Sequence, residues 1–151
     1  MDSMQVTKEF TFDSAHFLPN YYGKCERMHG HTYKLHVTVE GEVGENGLLI
    51  DFVILKNIVK EKILDPLDHQ TLNDIIKVPS AENIVIWIWD QLVDLKTNIQ
   101  SQLEDPNLPE SIRKYLKDPK DGIDISASSN KIQLAEVKLW ETPTSSVTYC
   151  G

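Results

Sequence analysis

The chain has 151 residues, a length typical of one domain, and we treat residues 1–151 as a single domain. Its composition, 40% hydrophobic and 25% charged residues, is typical of a globular protein, and no stretch approaches the ~20 apolar residues of a membrane helix. The net charge of −8 argues against a general nucleic-acid binder, although a local basic cluster can still bind a small anion. The first residues lack a basic, apolar leader, so we expect a cytoplasmic protein.

Two strands are predicted in the first third of the chain. Residues 6–12 alternate apolar and polar side chains, which is typical of a strand with one buried face. A polar loop, residues 19–27, separates them from a second strand at about residues 31–43. Alternation in the second strand places five side chains on one face: His31, Tyr33, Leu35, Val37 and Val39.

Two helices follow. Asp51 has the position of an N-cap before an apolar repeat, and Pro66 marks the end of that helix. The second helix is predicted to begin near Ser80, which is the expected N-cap. Its apolar stripe is expected to contain Ile84, Ile88, Leu92 and Leu95.

The pattern weakens over residues 97–130, which three prolines interrupt, and we interpret this stretch as an insertion with a short helix at residues 110–117. Strand signals return at residues 132–140 and 145–150. The order ββααββ predicts an α+β fold, with a four-stranded antiparallel sheet and two helices on one face.

The clearest chemical signal is His29-Gly30-His31. Residues two apart in a strand point to the same face, so both imidazoles can reach one metal ion. If the first two strands pair as a hairpin, His16 joins them, and three imidazoles with an open position are typical of catalytic zinc. Imidazole also suits copper, iron and nickel, and a lone His-x-His is often only a structural pair. His36 falls on the opposite face.

Cys25, four residues before His29, allows three interpretations: a fourth metal ligand, a catalytic thiol or an inert side chain. Its neighbours Lys24 and Arg27 favour the thiolate, and the polar context argues against an inert, buried thiol. The residues themselves leave ligand and base equally open. Cys150 is the only other cysteine, so a disulfide framework is not expected.

Two carboxylates stand out for different reasons. Asp68 precedes His69 directly, and such a carboxylate can orient an imidazole and raise its basicity, although Asp after Pro-Leu is also ordinary loop chemistry. Glu141 lies at the end of the third strand, where a carboxylate is usually solvated. It can instead accept hydrogen bonds from an aminopyrimidine edge.

Five elements in order resemble the 6-pyruvoyl-tetrahydropterin synthase superfamily, including its 6-carboxy-tetrahydropterin synthase branch. They are Phe12-Asp13-Ser14-Ala15-His16, Cys25-x-x-x-His29-Gly30-His31, Leu67-Asp68-His69, Pro79-Ser80-Ala81-Glu82-Asn83 and Trp140-Glu141-Thr142. Together they span nearly the whole chain except the insertion.

The resemblance implies roles for these residues. His16, His29 and His31 would be the Zn²⁺ ligands. Cys25 would be the catalytic base, Asp68 and His69 would transfer protons, and Glu141 would anchor the pterin. Ser80 and Glu82 would line or support the pterin pocket. The implied architecture is the tunnelling fold, in which subunits join their sheets into a barrel, commonly as a hexamer of two trimers.

The three residues between Cys25 and His29 are similar to the carboxy-forming branch, which feeds 7-deazaguanine and queuosine synthesis. The implied substrate is 7,8-dihydroneopterin triphosphate, and the implied products are 6-carboxy-tetrahydropterin, acetaldehyde and triphosphate. Lys24, Arg27 or Lys34 would meet the triphosphate. Two alternatives remain open: a pyruvoyl product, and a non-catalytic metal-binding oligomer of the same fold.

Assembly is also expected from the sheet itself. Outer edges built from segments such as residues 32–43 and 145–150 contain no proline, and exposed edges invite pairing between subunits. We therefore expect a homo-oligomer, in agreement with the barrel that the resemblance implies.

Overall fold

The computed structural model describes residues 2–19, 27–44, 47–117 and 132–151. The elements are β1 (Ser3–His16), β2 (His29–Glu42), α1 (Phe52–Val59), α2 (Asp65–Leu67), β3 (Gln70–Thr71), α3 (Ala81–Leu92), α4 (Leu95–Glu104), α5 (Glu110–Lys117), β4 (Gln133–Thr142) and β5 (Ser145–Tyr149). The predicted α+β class is confirmed, and the four predicted strands and two predicted helices are all present.

The sheet has the strand order β3-β1-β2-β4-β5. The four long strands pair antiparallel, as predicted. The short strand β3 was not predicted; it pairs in parallel with the end of β1, where Ser14 lies opposite Gln70 and Ala15 opposite Thr71. Two residues are too few to produce an alternating pattern, which is why the sequence carries no signal for this strand.

The prediction that residues 32–43 form an outer edge is wrong. They belong to β2, which pairs with β1 on one side and β4 on the other and is therefore the central strand. The strand β5, within the predicted segment 145–150, does lie at one edge of the sheet. Alternation reports which face of a strand is buried but not which strands flank it.

One face of the sheet packs against the helices. On this face of β2 the buried side chains are Tyr33, Leu35, Val37 and Val39, each 0% exposed. The helices contribute Ile54, Leu55, Ile58, Val59, Ile84, Val85, Ile88 and Leu92. The opposite face carries polar side chains such as Lys34 and His36, and His36 Nε2 lies 2.7 Å from a carboxylate oxygen of Glu9.

The helical run from Phe52 to Leu67 places Asp68 next to the end of β1. Asp51 caps α1 as predicted, since its carboxylate accepts hydrogen bonds from the amides of Val53 (2.7 Å) and Ile54 (3.3 Å). A π-helical turn, Lys60–Leu64, then joins α1 to α2, and the run ends at Leu67, one residue beyond Pro66. A π turn changes the angular register of a helix, so it determines which face the residues around Pro66 present.

Ser80 caps α3 as predicted, because its Oγ accepts a hydrogen bond from the Asn83 amide at 3.2 Å. That helix ends at Leu92, so Leu95 belongs to α4 and not to the stripe of α3; it is nevertheless buried. The predicted insertion, 97–130, includes most of α4 and the helix predicted at 110–117, while residues 118–131 lie outside the described ranges. No helix in the described ranges is long and apolar enough to cross a membrane.

The Asp51 cap gives a test of this local structure. We expect Asp51→Ala to lower the free energy of unfolding by about 1 kcal/mol, because two amides at the start of α1 lose their acceptor. Urea unfolding at one fixed protein concentration measures the change. Asp90→Ala, an exposed position on α3, is the control and should change stability by less than about 0.5 kcal/mol. Equal loss in both variants would contradict the cap.

Candidate metal centre and adjoining clefts

Three histidines meet at the end of the β1–β2 hairpin where the chain connects the two strands. His16 is the last residue of β1 and lies opposite His29, the first residue of β2. His31 is two residues further along β2 and therefore points to the same face as His29. One nitrogen from each ring lies within 4.8 Å of the others, so the three side chains can share one metal ion. The hairpin pairing that the sequence required is present.

Backbone carbonyls fix two of these rings. His16 Nδ1 lies 2.7 Å from the carbonyl oxygen of Pro79, and His29 Nδ1 lies 2.7 Å from that of Arg27. A carbonyl oxygen only accepts hydrogen bonds, so each Nδ1 must carry the proton and donate it. In the neutral rings Nε2 is then unprotonated, which is the form that binds metals.

The two Nε2 atoms of His16 and His29 face each other at 3.0 Å. With both Nδ1 atoms protonated, this arrangement directs two lone pairs at each other unless a positive charge lies between them. Either a proton or a metal cation can supply that charge. His16 is only 1% exposed, and its nitrogen lies in a cluster of three imidazole nitrogens that fits a metal cation.

The ring of His31 is also suited to binding a cation. Burial lowers the pKa of His31, and the positive charges that His16 and His29 can carry lower it further, whereas Glu141 raises it. His31 Nε2 is buried and makes no hydrogen bond within the described part of the chain, although Glu141 Oε1 lies 3.5 Å away. An unpartnered buried nitrogen beside two inward-facing lone pairs is what a three-histidine metal site requires.

Tyr33 closes the inner side of the cluster. Its ring stacks on Phe12 with centroids 5.0 Å apart, and its hydroxyl oxygen lies 3.4 Å from His16 Nδ1. Burial, helped by the Glu141 charge, raises the pKa of the Tyr33 hydroxyl, which therefore remains protonated. The apolar stack and the neutral hydroxyl keep bulk water away from the buried side of His16.

Asp68 and His69 form a pair beside the same hairpin. Asp68 Oδ2 lies 3.1 Å from His69 Nδ1, and Asp68 Oδ1 accepts a hydrogen bond from the Asp13 amide at 2.9 Å. That amide, more than the nearby imidazole, lowers the pKa of Asp68 and keeps it ionised. The His69 amide donates to the Asp13 carbonyl oxygen at 2.6 Å, and His69 has a left-handed backbone with φ of 57°. The imidazole is thus oriented and 77% exposed.

Two clefts adjoin the histidines. The larger, about 640 Å³, contains both His31 and His69 in its wall. The smaller, about 300 Å³, is lined by Leu18, Ser80, Ala81, Glu82, Glu141, Ser145, Ser146 and Val147. The three residues expected to contact a pterin therefore share one cleft, and the Glu141 carboxylate connects that cleft to His31.

The remaining residues predicted from the sequence contribute no side chain to the described site. Cys25 and Lys24 lie outside the described residues. Lys34 lies on the sheet face opposite the histidines, where its ammonium group is 4.3 Å from the Trp140 ring centroid. Arg27 enters the site through its backbone carbonyl.

Several contributors to the site have no signal of their own in the sequence. The carbonyls of Arg27 and Pro79 are backbone groups that every residue possesses, so no residue type points to them. Asn73, whose side chain binds the backbone of Phe17, lies four residues after His69 and was not singled out. Its position in a short turn after an Asp-His pair is the signal that could have found it.

Comparisons with known proteins identify the family of the chain. Residues 5–117 match the family model described as 6-pyruvoyl tetrahydropterin synthase. The chain is 33% identical over 149 residues to a 6-carboxy-5,6,7,8-tetrahydropterin synthase of Haemophilus influenzae, covering 96% of this chain and 97% of that protein. It is 40% identical over 103 residues to a 6-pyruvoyl tetrahydrobiopterin synthase of Dictyostelium discoideum, covering 58% and 76%.

Comparison with solved structures identifies the fold. The 6-pyruvoyl tetrahydropterin synthase of Caenorhabditis elegans superposes with a TM-score of 0.67 at 23% identity, covering all of this chain and 97% of that one. The family model covers most of the chain, and the Haemophilus influenzae relative matches nearly all of it. The chain therefore belongs to the 6-pyruvoyl tetrahydropterin synthase family and has its tunnelling fold.

Proposed function

We propose that the protein is a zinc-dependent 6-carboxy-5,6,7,8-tetrahydropterin synthase. The observation that carries the proposal is the convergence of three histidine nitrogens beside a cleft that contains Glu141, Ser80 and Glu82. Two further points favour the carboxy product: the relative matched over nearly the whole chain has that name, and the spacing of Cys25 and His29 is similar to that branch.

Zn²⁺ is the metal that fits this donor set best. Three neutral imidazoles with room for a further ligand are typical of catalytic zinc, and the orphaned Nε2 of His31 supplies the third donor. His16, His29 and His31 would hold the ion. When bound, zinc would act as a Lewis acid toward the side-chain hydroxyls of the substrate and make the adjacent protons easier to remove.

Glu141 orients the substrate in this proposal. A carboxylate can accept two hydrogen bonds from the 2-amino group and N3 of a pterin, which fixes the ring in one plane. Ser80 and Glu82 both line the cleft. Ser80 Oγ also caps α3, while Glu82 offers a second carboxylate to the cleft. The nearby His31 places this anchor next to the proposed metal.

Proton transfer falls to Cys25, Asp68 and His69. Cys25 abstracts a proton from a side-chain carbon of 7,8-dihydroneopterin triphosphate, and this role rests on the sequence resemblance because Cys25 lies outside the described residues. His69 moves protons as a general acid and base, and the ionised Asp68 orients its ring. Each such group contributes roughly 10²–10⁴ in rate. Triphosphate leaves with its bridging oxygen. One water molecule then adds as the bond between the first and second side-chain carbons breaks, which leaves the carboxyl group on the ring and releases the other two carbons as acetaldehyde.

The main alternative is that the enzyme forms a 6-pyruvoyl product. The Dictyostelium discoideum relative is named as a synthase of that kind. A non-catalytic metal-binding oligomer is less favoured, because it would need neither an oriented Asp68–His69 pair nor a carboxylate in the cleft. The place in queuosine synthesis, the cytoplasmic location and the absence of a nucleic-acid partner remain predictions from the sequence.

Product analysis tests the proposal. Zinc-loaded protein is incubated with 7,8-dihydroneopterin triphosphate, and the products are identified by mass spectrometry. We expect 6-carboxy-tetrahydropterin together with acetaldehyde. A pyruvoyl pterin without acetaldehyde would support the main alternative, and unchanged substrate would support the non-catalytic one.

The first prediction for the site concerns metal content. We expect about one zinc per chain in the wild type and a large loss in His29→Ala, because two histidines alone give an incomplete site. Elemental analysis after dialysis measures this. His36→Ala is the matched control, since His36 lies on the opposite face against Glu9 and should retain the metal. Undiminished zinc in His29→Ala would contradict the assignment.

The second prediction separates a base from a ligand at Cys25. We expect Cys25→Ala to abolish turnover and to keep its zinc, because three histidines already supply the ligands. Cys150→Ala, an exposed free thiol at the end of β5, is the control and should retain activity. If Cys25→Ala loses the metal, the thiol is a fourth ligand and its proposed role is wrong.

The third prediction concerns assembly, which the exposed edges of the sheet favour. Beyond its short contact with β3, the strand β1 has no further strand partner on that side within the described residues, and β5 ends the sheet on the other side. Pairing of these edges between subunits would remove them. We expect a homo-oligomer, commonly a hexamer in this fold, by sedimentation at micromolar concentration. An active monomer of 17.2 kDa would contradict the expectation.

A further inference from the structure

We propose that Asn73 and Asn83 are positioning residues that hold His16 ready for metal binding. The inference rests on the proposed metal site and concerns residues to which no role has been assigned. The side-chain amide of Asn73 binds the backbone that follows His16. The side-chain amide of Asn83 binds the loop whose carbonyl contacts the His16 ring.

Asn73 fixes the point where the chain leaves β1. Its Oδ1 accepts a hydrogen bond from the Phe17 amide at 3.0 Å, and its Nδ2 donates to the Phe17 carbonyl oxygen at 2.9 Å. Phe17 is the first residue after the strand, so its backbone groups have no strand to pair with. One amide side chain satisfies both groups, as a neighbouring strand would, and so extends the order of β1 past His16.

The segment that carries Asn73 is itself attached to β1. Ser14 Oγ donates to the Leu67 carbonyl oxygen at 2.6 Å, and β3 pairs with Ser14 and Ala15. Asn73 follows in a 3-10 turn, Leu72–Asp74. The segment from Leu67 to Asn73 is therefore bonded to the chain both before His16, at Ser14 and Ala15, and after it, at Phe17. Loss of the Asn73 contact would release the backbone immediately after the histidine.

Asn83 fixes the loop that contacts the His16 ring. Its Nδ2 donates to the Val78 carbonyl oxygen at 2.9 Å, and the Ser80 amide donates to the same oxygen at 2.9 Å. Pro79 lies between Val78 and Ser80, and its carbonyl oxygen accepts a hydrogen bond from His16 Nδ1 at 2.7 Å. Asn83 thus orients the carbonyl that determines the tautomer of His16.

A role in helix capping alone does not account for Asn83. The cap of α3 is made by Ser80 Oγ with the backbone amide of Asn83, a contact that any residue except proline would keep at position 83. The side chain of Asn83 adds a separate bond back across the loop to Val78. Because Asn83 is exposed, replacing it removes this bond without opening the core.

Outer partners of metal ligands typically affect metal affinity by roughly 10–100-fold when removed. Asn73 and Asn83 act one bond further from the ring, so we expect the lower end of this range. The affected quantity is the affinity for zinc, because a less ordered His16 must be reoriented each time the ion binds.

The test compares the zinc dissociation constants of wild type, Asn73→Ala, Asn83→Ala and Asn98→Ala by competition with a chelator. Asn98 is the matched control, since its buried amide also donates to a backbone carbonyl, that of Gln91 at 3.4 Å on the helical side of the molecule. We expect about tenfold weaker binding in the first two variants and unchanged binding in Asn98→Ala. The visible absorption of the Co²⁺-substituted protein should change in the same two variants.

Unchanged zinc affinity and an unchanged Co²⁺ spectrum in Asn73→Ala and Asn83→Ala would overturn the inference, as would equal weakening in Asn98→Ala. If Asn73→Ala fails to fold, Asn73→Asp replaces it, because a carboxylate keeps the acceptor for the Phe17 amide and removes only the donor. The measurement needs no substrate, so the inference stands if zinc affinity responds as expected while the proposed products are absent. A wild-type protein that binds no zinc would overturn both.

Discussion

The hydrogen bond from His16 Nδ1 to the Pro79 carbonyl is the interaction on which the site depends. With its counterpart from His29 to Arg27, it places a proton on the outer nitrogen of each ring and leaves the inner nitrogens, 3.0 Å apart, as lone-pair donors. Two such donors at this distance need a cation between them. The candidate metal site is therefore defined by where backbone carbonyls lie as much as by the presence of three histidines.

The fold supplies those carbonyls from different parts of the chain. The register of the β1–β2 hairpin places His16 opposite His29, which is a local consequence of sheet pairing. Pro79 comes from the loop before α3, 63 residues after His16, and only packing of the helices against the sheet brings it there. The helical run that ends at Leu67 also delivers Asp68 to the Asp13 amide. The packing of the helices against the sheet therefore determines the geometry of the site.

Much of this arrangement could be predicted from the sequence. Alternation in residues 31–43 identified the buried face of β2, and the His-x-His spacing with a hairpin brought His16 to the pair. Asp51 and Ser80 were found as helix caps because the side-chain chemistry of a cap is local. Two predictions failed. Residues 32–43 form the central strand rather than an edge, which is a non-local property, and Leu95 begins a new helix that the Asp94 carboxylate caps, a local signal that was missed. Neighbouring strands and backbone acceptors leave no pattern in the residues that use them.

The tautomers of His16 and His29 test this account most directly. Long-range ¹H–¹⁵N correlation spectra of the zinc-titrated protein report which ring nitrogen carries the proton. The account predicts protonated Nδ1 and metal-bound, unprotonated Nε2 in both residues, as the Pro79 and Arg27 carbonyls require. A proton on Nε2 of either ring in the presence of zinc would show that these carbonyls do not define the site, and would contradict the account.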